Sequence, residues 1–166
     1  TDELNRVNHE LIASEGLLRQ VVETVEGGIV MFDSDLKIRL YNARFMQMLD
    51  LPYGIAEVDR EVSDLLRFRA QRGDYGPGPV ADVARERYEM LRFMTHDRIE
   101  EHRSGDRVFE SRWTRTLDGG IVGITTEITE RMRTQSTLRA SRDTAETLAE
   151  ALRRSEARLK GIIDHT

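Results

Sequence analysis

The chain has 166 residues, 39% apolar and 33% charged, with a formal net charge of −5 from 25 basic and 30 acidic side chains. That is enough for one domain plus helical extensions, and with no basic block or basic face nucleic acid is excluded as a partner. There is no cysteine, so disulfides, thiol catalysis and zinc–cysteine sites are excluded and a reducing, cytoplasmic setting is expected.

At the N-terminus Leu4, Leu11, Leu18 and Val25 fall seven apart, with Val7, Ser14 and Val21 three residues after the first three. This a/d heptad pattern predicts a helix with one narrow apolar seam, a connector over 1–26. Gly27-Gly28 breaks it. Residues 29–33 read as a short buried strand, Asp33-Ser34-Asp35 as a turn and 37–41 as a second strand, together a hairpin. The apolar runs here, such as 29–32, are too short to span a bilayer, and no membrane contact is expected in this segment. Asn42 is placed to cap a helix carrying Phe45, Met46, Met48 and Leu49, which ends at Leu51-Pro52-Tyr53-Gly54.

A further helix is predicted over 62–70, stopped by Gly73. The loop 72–79 holds three glycines and two prolines. A long helix over 80–94 follows, with Val83, Arg87, Met90, Leu91 and Met94 along one side. Three strands come next. The first, 98–103, is mostly polar and ends at Ser104-Gly105-Asp106. The second, 107–117, alternates, with Phe109, Ser111 and Trp113 on one face. After the hairpin turn Asp118-Gly119-Gly120, the third, 121–128, places Val122, Ile124, Thr126 and Ile128 on one face. Thr129 then opens a long helix.

In that last helix Leu138, Ala145, Leu152 and Leu159 fall seven apart, with Ser141, Leu148, Ser155 and Ile162 three residues later. The seam over Leu138, Ala145, Leu148, Leu152, Leu159 and Ile162 predicts a two-helix coiled coil, weakened by the serines. The two ends also align: Ser14-Glu15, Leu18-Arg19 and Val21-Val22-Glu23 match Ser155-Glu156, Leu159-Lys160 and Ile162-Ile163-Asp164 at a constant offset. A tandem repeat is the simplest explanation, with a second copy of the same domain type expected to begin where the sequence stops. Similar composition alone would account for the leucines, but less well for the shared Ser-Glu.

The order of elements and three motifs resemble the PAS family. "GGIVMFDSDLKIRLYNARFMQMLDLP" (27–52) is similar to the PAS opening of strand, turn, strand and asparagine-capped helix. "DLLRFRAQRGDYGPG" (64–78) is similar to a PAS subgroup with a long helical insert, found in bacterial multi-PAS sensor histidine kinases. "GGIVGITTEITERMR" (119–133) is similar to the last PAS strand and its Asp-Ile-Thr exit motif, with Glu127 in place of the usual Asp. The resemblance implies an α+β fold: a five-stranded antiparallel sheet with helices on one face. It implies a core over 27–129 and a connector over 130–166. It also implies a signal junction at Glu127, Ile128, Thr129 and Arg131. At that junction the Thr129 hydroxyl is suited to capping the following helix and Glu130 to its positive end. Glu127 and Arg131 are placed to pair across the cap.

Known chemistries of the family find little footing. "NARFMQ" (42–47) is similar to the motif of flavin-binding photosensors, but Ala43 stands where they have the reactive Cys, and no Asn follows Asn42 to hold a flavin ring. Of the histidines, His9 and His165 lie on the connectors and His96 and His102 flank a charged strand edge, away from where haem ligands sit in the family. No cofactor is expected. Asn8-His9-Glu10-Leu11 resembles the phospho-acceptor box of histidine kinases, but Ile12-Ala13-Ser14 lacks its continuation and no nucleotide-binding segment follows. The glycine-rich 73–78 lacks the Lys of a phosphate loop and is expected to be a turn closing over the pocket.

No catalytic set is present, and this segment is expected not to be an enzyme. The expected function is a sensor and dimerisation module, a parallel homodimer that passes a signal through its coil to a downstream domain of a sensor histidine kinase. The alternatives are a phospho-acceptor helix using His9 and a ligand-free spacer. A small-molecule ligand of unknown identity has a candidate pocket at Met31, Leu40, Phe45, Leu65, Leu66, Phe93, Trp113 and Ile124.

Overall fold

The computed structural model describes residues 1–164, with side chains through Ile162; His165 and Thr166 lie outside the described residues. The backbone divides into two units, Thr1–Glu127 and Ile128–Thr166. Among the described residues no helix is long and apolar enough to cross a membrane.

The first unit runs α1 (Asp2–Thr24), β1 (Gly28–Phe32), β2 (Ile38–Tyr41), α2 (Ala43–Met48), α3 (Ser63–Arg72), α4 (Val80–Phe93), β3 (Arg98–Ser104), β4 (Arg107–Arg115) and β5 (Ile121–Glu127). The five strands form one antiparallel sheet in the order β2-β1-β5-β4-β3. Pairing of the first and last strands at the centre leaves β2 and β3 as edges.

Alternation decides which side of the sheet the helices cover. Val30 and Phe32 of β1, opposite Gly123 and Ile121 of β5, point inward. They join Ile38, Phe45, Leu49, Val62, Leu65, Leu66, Leu91 and Trp113 in the core. The other face carries Met31 paired with Leu40 and Val122, and Ile29 paired with Ile124.

Polar side chains tie helices to this sheet. Asn42, 1% exposed, caps α2 by accepting from Phe45 N at 3.0 Å. Its Oδ1 also accepts from Ile29 N at 2.9 Å, and its Nδ2 donates to the carbonyls of Val22 and Gly27, both at 2.9 Å. One amide thus joins the end of α1, the start of β1 and the start of α2. Gly28 is part of the same joint, because a Cβ there would lie 2.8 Å from Phe45 Cα. Arg115, at the end of β4, donates to the carbonyls of Leu91, Arg92 and Met94. It satisfies the free end of α4 and sets a cation against its dipole.

The second unit is α5 (Thr129–Asp164), a helix of 36 residues. The Ile128 carbonyl accepts from Met132 N at 2.9 Å, so Thr129 is the first helical residue and Ile128 holds the position just before it. From 133 to 162 every side chain is exposed.

Candidate functional site

The predicted pocket residues divide. Phe45, Leu65, Leu66 and Trp113 meet in the core. Met31 and Leu40 are half-buried on the opposite face of the sheet. Phe93 and Ile124 do not belong to a pocket, being 69% and 37% exposed. Phe93 sits two residues past buried Leu91, about 200° around a helix of 3.6 residues per turn, and turns outward beneath Arg92. Ile124 is displaced by strand parity. The inward positions of β5 are Ile121, Gly123 and Thr125, and Gly123 is inward because the Trp113 ring lies against it, leaving no room for a Cβ. The apolar-looking set Val122, Ile124 and Thr126 therefore lies on the other face.

One sizeable cavity is polar. It holds about 460 Å³ between α3, the loop after it, α4 and strands β3 and β4, lined by Arg69, Asp74, Tyr75, Arg87, Glu100, His102 and Ser111 among others. Its charges are organised in two sets. Asp74 accepts from Arg69 Nε at 2.9 Å and from Arg72 Nε and Nη2 at 2.9 and 2.7 Å. Glu100 is held by both terminal nitrogens of Arg87 in a fork. Burial would raise both carboxyls, but the arginine hydrogen bonds outweigh it and hold each below its ordinary range. Tyr75 lies between the two sets, with the guanidinium groups of Arg69 and Arg87 each 4.8 Å from its ring centroid. The glycine-rich loop thus closes over the cavity through Asp74 and Tyr75.

His102 is the residue that sequence reasoning placed on a charged edge. It faces inward from β3, opposite Phe109, and stacks on that ring at 5.2 Å. Its Nε2 is buried without a hydrogen-bond partner. Burial, with smaller contributions from Arg69 and Arg87, drives its pKa down to about 4, against weaker opposition from Asp74 and Glu100. The Trp113 indole N–H faces the Glu100 carboxylate and helps lower its pKa, yet it too lacks a partner in hydrogen-bond geometry.

A pH dependence of stability follows. The folded pKa of His102, about 4, lies below its ordinary 6.5. Between those values the unfolded chain binds the extra proton, so acidification from pH 6.5 to 4 favours unfolding. The ring keeps a solvent-facing side, so the expected loss is about 1–2 kcal/mol, well under the full shift. Asp74 and Glu100, whose pKa values are lowered, contribute their own losses at more acidic pH. Urea unfolding at pH 7, 5.5 and 4.5 should show this slope, and His102→Phe should flatten it; an unchanged slope in the variant would refute the assignment.

Elsewhere, Glu127 ends β5 and accepts from Arg107 at 2.9 Å. Ile128 and Thr129 are buried, and Arg131 is exposed in the first turn of α5. Along α5, Leu138, Leu148, Leu152, Leu159 and Ile162 are between 59% and 66% exposed, and Ala145 shares that exposed seam. His9 is exposed on α1. No cluster of potential metal ligands occurs among the described residues.

The family model described as "PAS fold" matches residues 22–136. The chain belongs to the PAS-fold family. The matched segment runs from the last turn of α1 into the start of α5, and so contains the sheet, the cavity and the strand–helix junction. No curated protein sequence matches the chain. Among solved structures, the PAS domain of Bordetella pertussis BvgS is similar with a TM-score of 0.51 at 16% identity, covering 80% of this chain and 98% of that one. The PAS domain of an HTR-like protein from Haloarcula marismortui is similar with a TM-score of 0.46 at 18% identity, covering 75% of this chain and 99% of that one. A sensory box sensor histidine kinase structure from Vibrio cholerae reaches a TM-score of 0.41 at 10% identity, covering 74% and 97%. At 16% identity the likeness to the Bordetella pertussis domain speaks for the fold alone.

Proposed function

We propose that this PAS domain is a cytoplasmic sensor and dimerisation module, non-catalytic itself, that relays a signal through a parallel coiled coil. The observation that carries this reading is the exposed heptad seam of α5, which continues directly from the last strand of the PAS core. In this reading residues 1–26 are an upstream connector, 27–129 the sensing core and 130–166 the output helix, leading into a second PAS domain. The parent belongs to the long-insert subgroup of multi-PAS sensor histidine kinases, by the resemblance of residues 64–78. A change in the core alters the junction at Glu127, Ile128, Thr129 and Arg131, and the paired helices shift or rotate.

Helical phase is the test. The chain is fused through α5 to the catalytic core of a dimeric histidine kinase, and one to seven residues are inserted after Leu152. Autophosphorylation should fall at most insertions and return at seven, which restores the heptad. In the uninterrupted fusion Thr129→Ala should change kinase output while leaving the core folded, because one side chain at the start of α5 weighs little against a domain stability of roughly 5–15 kcal/mol. Activity indifferent to phase, or a Thr129→Ala core that unfolds outright, would rule the relay out.

A further inference from the structure

We infer that Arg107 forms an ion pair with two positions, resting on Glu127 at the end of β5 and able to pass to Asp50 at the end of α2, with Arg72 deciding between them. Coupling between sites requires an element with two discrete arrangements; this exchange supplies one, and its use rests on the relay reading. Strand parity sets up the choice. Phe109 pairs with Glu127 and Ser111 with Thr125, so Arg107, two residues before Phe109, shares the helix-facing side of the sheet with Glu127. Arg107 Nε donates to Glu127 at 2.9 Å and Nη2 at 3.3 Å, while its guanidinium carbon lies 4.9 Å from the centre of the Phe109 ring. On that same side α2 runs out into Leu49 and Asp50. A cleft of about 200 Å³ lies between this end and the β3–β4 hairpin, and Asp50 and Arg107 both line it, together with Arg72, Asp74 and Phe109.

Asp50 is the uncommitted group of this cleft. Its backbone is left-handed, with φ 47°, a conformation aspartate tolerates better than most residues. Its carbonyl accepts from Arg72 Nη1 at 2.8 Å, beside the Leu49 carbonyl, which accepts from Nη2 at 2.6 Å. Its carboxylate has no hydrogen-bond or ion-pair partner among the described residues. Two cations feel it nonetheless: Asp50 helps raise the pKa of Arg107, after the larger effect of Glu127, and that of Arg72, after Asp74. The Arg107–Glu127 pair keeps 50% and 35% of its side-chain surfaces in water, and pairs so exposed hold weakly. A guanidinium presents the same fork to either carboxylate. While Arg72 is held on Asp74 and the end of α2, its charge compensates Asp50, and Arg107 stays with Glu127. When the loop flanked by Gly73 and Gly76, both at positive φ, carries Asp74 away, Arg72 follows. Asp50 is then left uncompensated and draws Arg107 across the cleft, and Glu127 loses this contact two residues before α5 begins.

The test reads Arg107 in the intact chain, labelled with nitrogen-15 and carbon-13, its Nε–Hε resonance assigned by its loss in Arg107→Lys. Nuclear Overhauser contacts identify the carboxylate it touches, and the rate of rotation about Nε–Cζ reports how firmly it is held. In the parent chain Hε should contact the methylene protons of Glu127. In Glu127→Gln, and separately in Arg72→Gln, it should contact those of Asp50, with rotation no more than about twofold faster. Asp50→Asn alone should leave it on Glu127. Asp50→Asn combined with Glu127→Gln should release it, with rotation faster by about threefold or more, the size expected for losing a half-exposed ion pair. The single Trp113 indole resonance checks that each variant is folded. The inference is overturned if Glu127→Gln turns Arg107 to solvent, rotating as fast as in the double variant, or if Arg72→Gln leaves it wholly on Glu127. No kinase enters these measurements. Loss of helical phasing in the fusion would leave the exchange in place, and an Arg107 fixed on Glu127 would leave the insertion series unaffected, so the two readings fail separately.

Discussion

Asn42→Asp should cost the fold about 3–5 kcal/mol, although it changes one side-chain nitrogen for an oxygen of nearly the same size. The Oδ1 atom keeps its two donors, Ile29 N and Phe45 N. The second oxygen replaces an NH2 group that donates to the carbonyls of Val22 and Gly27. Two hydrogen bonds therefore become two contacts between acceptors, at a site 1% exposed to water. A buried unpaired acceptor costs roughly 1–3 kcal/mol, and a buried charge more. The positive end of α2 offsets part of this. Against a domain stability of roughly 5–15 kcal/mol such a loss is large. Chemical denaturation at pH 7 measures it, and amide exchange should show the residues between α1 and β1 opening first. Relative to the parent protein, the defect should ease in acid, where the protonated carboxyl regains one donor. A loss below 1 kcal/mol would mean that the amide does not hold the joint.

That joint also shows how much of the fold could be read in the sequence. A single asparagine before an amphipathic run announces the cap on Phe45 N. Nothing local announces its bonds to Ile29, Val22 and Gly27, which exist only because the hairpin folds the chain back. Strand and helix order was legible for the same local reasons, since periodicity and turn residues act over a few positions. Which face of β5 is buried was not legible. Its inward residues are Ile121, Gly123 and Thr125, with Gly123 set by the bulk of Trp113 across the ladder, so the more apolar alternation pointed to the wrong side. The polar cleft left one signal in the sequence: Arg87 stands among Val83, Met90, Leu91 and Met94 on the apolar side of α4. A charge in that stripe implies a buried partner. The partner, Glu100, lies in the strand whose polar character made it look wholly exposed, and His102 was missed with it.

Leu148→Asp with Leu152→Asp should convert the dimer proposed here into a weakly associating or monomeric chain, without disturbing the PAS core. The helix α5, 36 residues long, would extend about 54 Å at 1.5 Å per residue. Its leucines at 138, 148, 152 and 159 are each at least 59% exposed. Burying a leucine is worth roughly 1.5–3 kcal/mol. Each substitution acts twice in a symmetric pair, and the introduced acids face one another across the seam. The combined loss corresponds to roughly a thousandfold or more in the dissociation constant. Ser141, Ala145 and Ser155 limit the starting affinity, so the parent chain should dimerise at micromolar rather than nanomolar concentration. The apolar seam of α1, with Leu4, Leu11 and Leu18 more than half exposed, would supply a second contact in the proposed dimer. Adding Leu11→Asp should remove whatever association the first two changes leave. Parallel pairing follows from the proposed relay, because two identical outputs must lie on the same side. Sedimentation over a concentration series measures the shift, while the sheet signal in circular dichroism and the single Trp113 emission report an intact core. A parent chain that sediments as a monomer at high micromolar concentration would remove the basis of the coiled-coil relay, because the seam of α5 would then be exposed for some other reason.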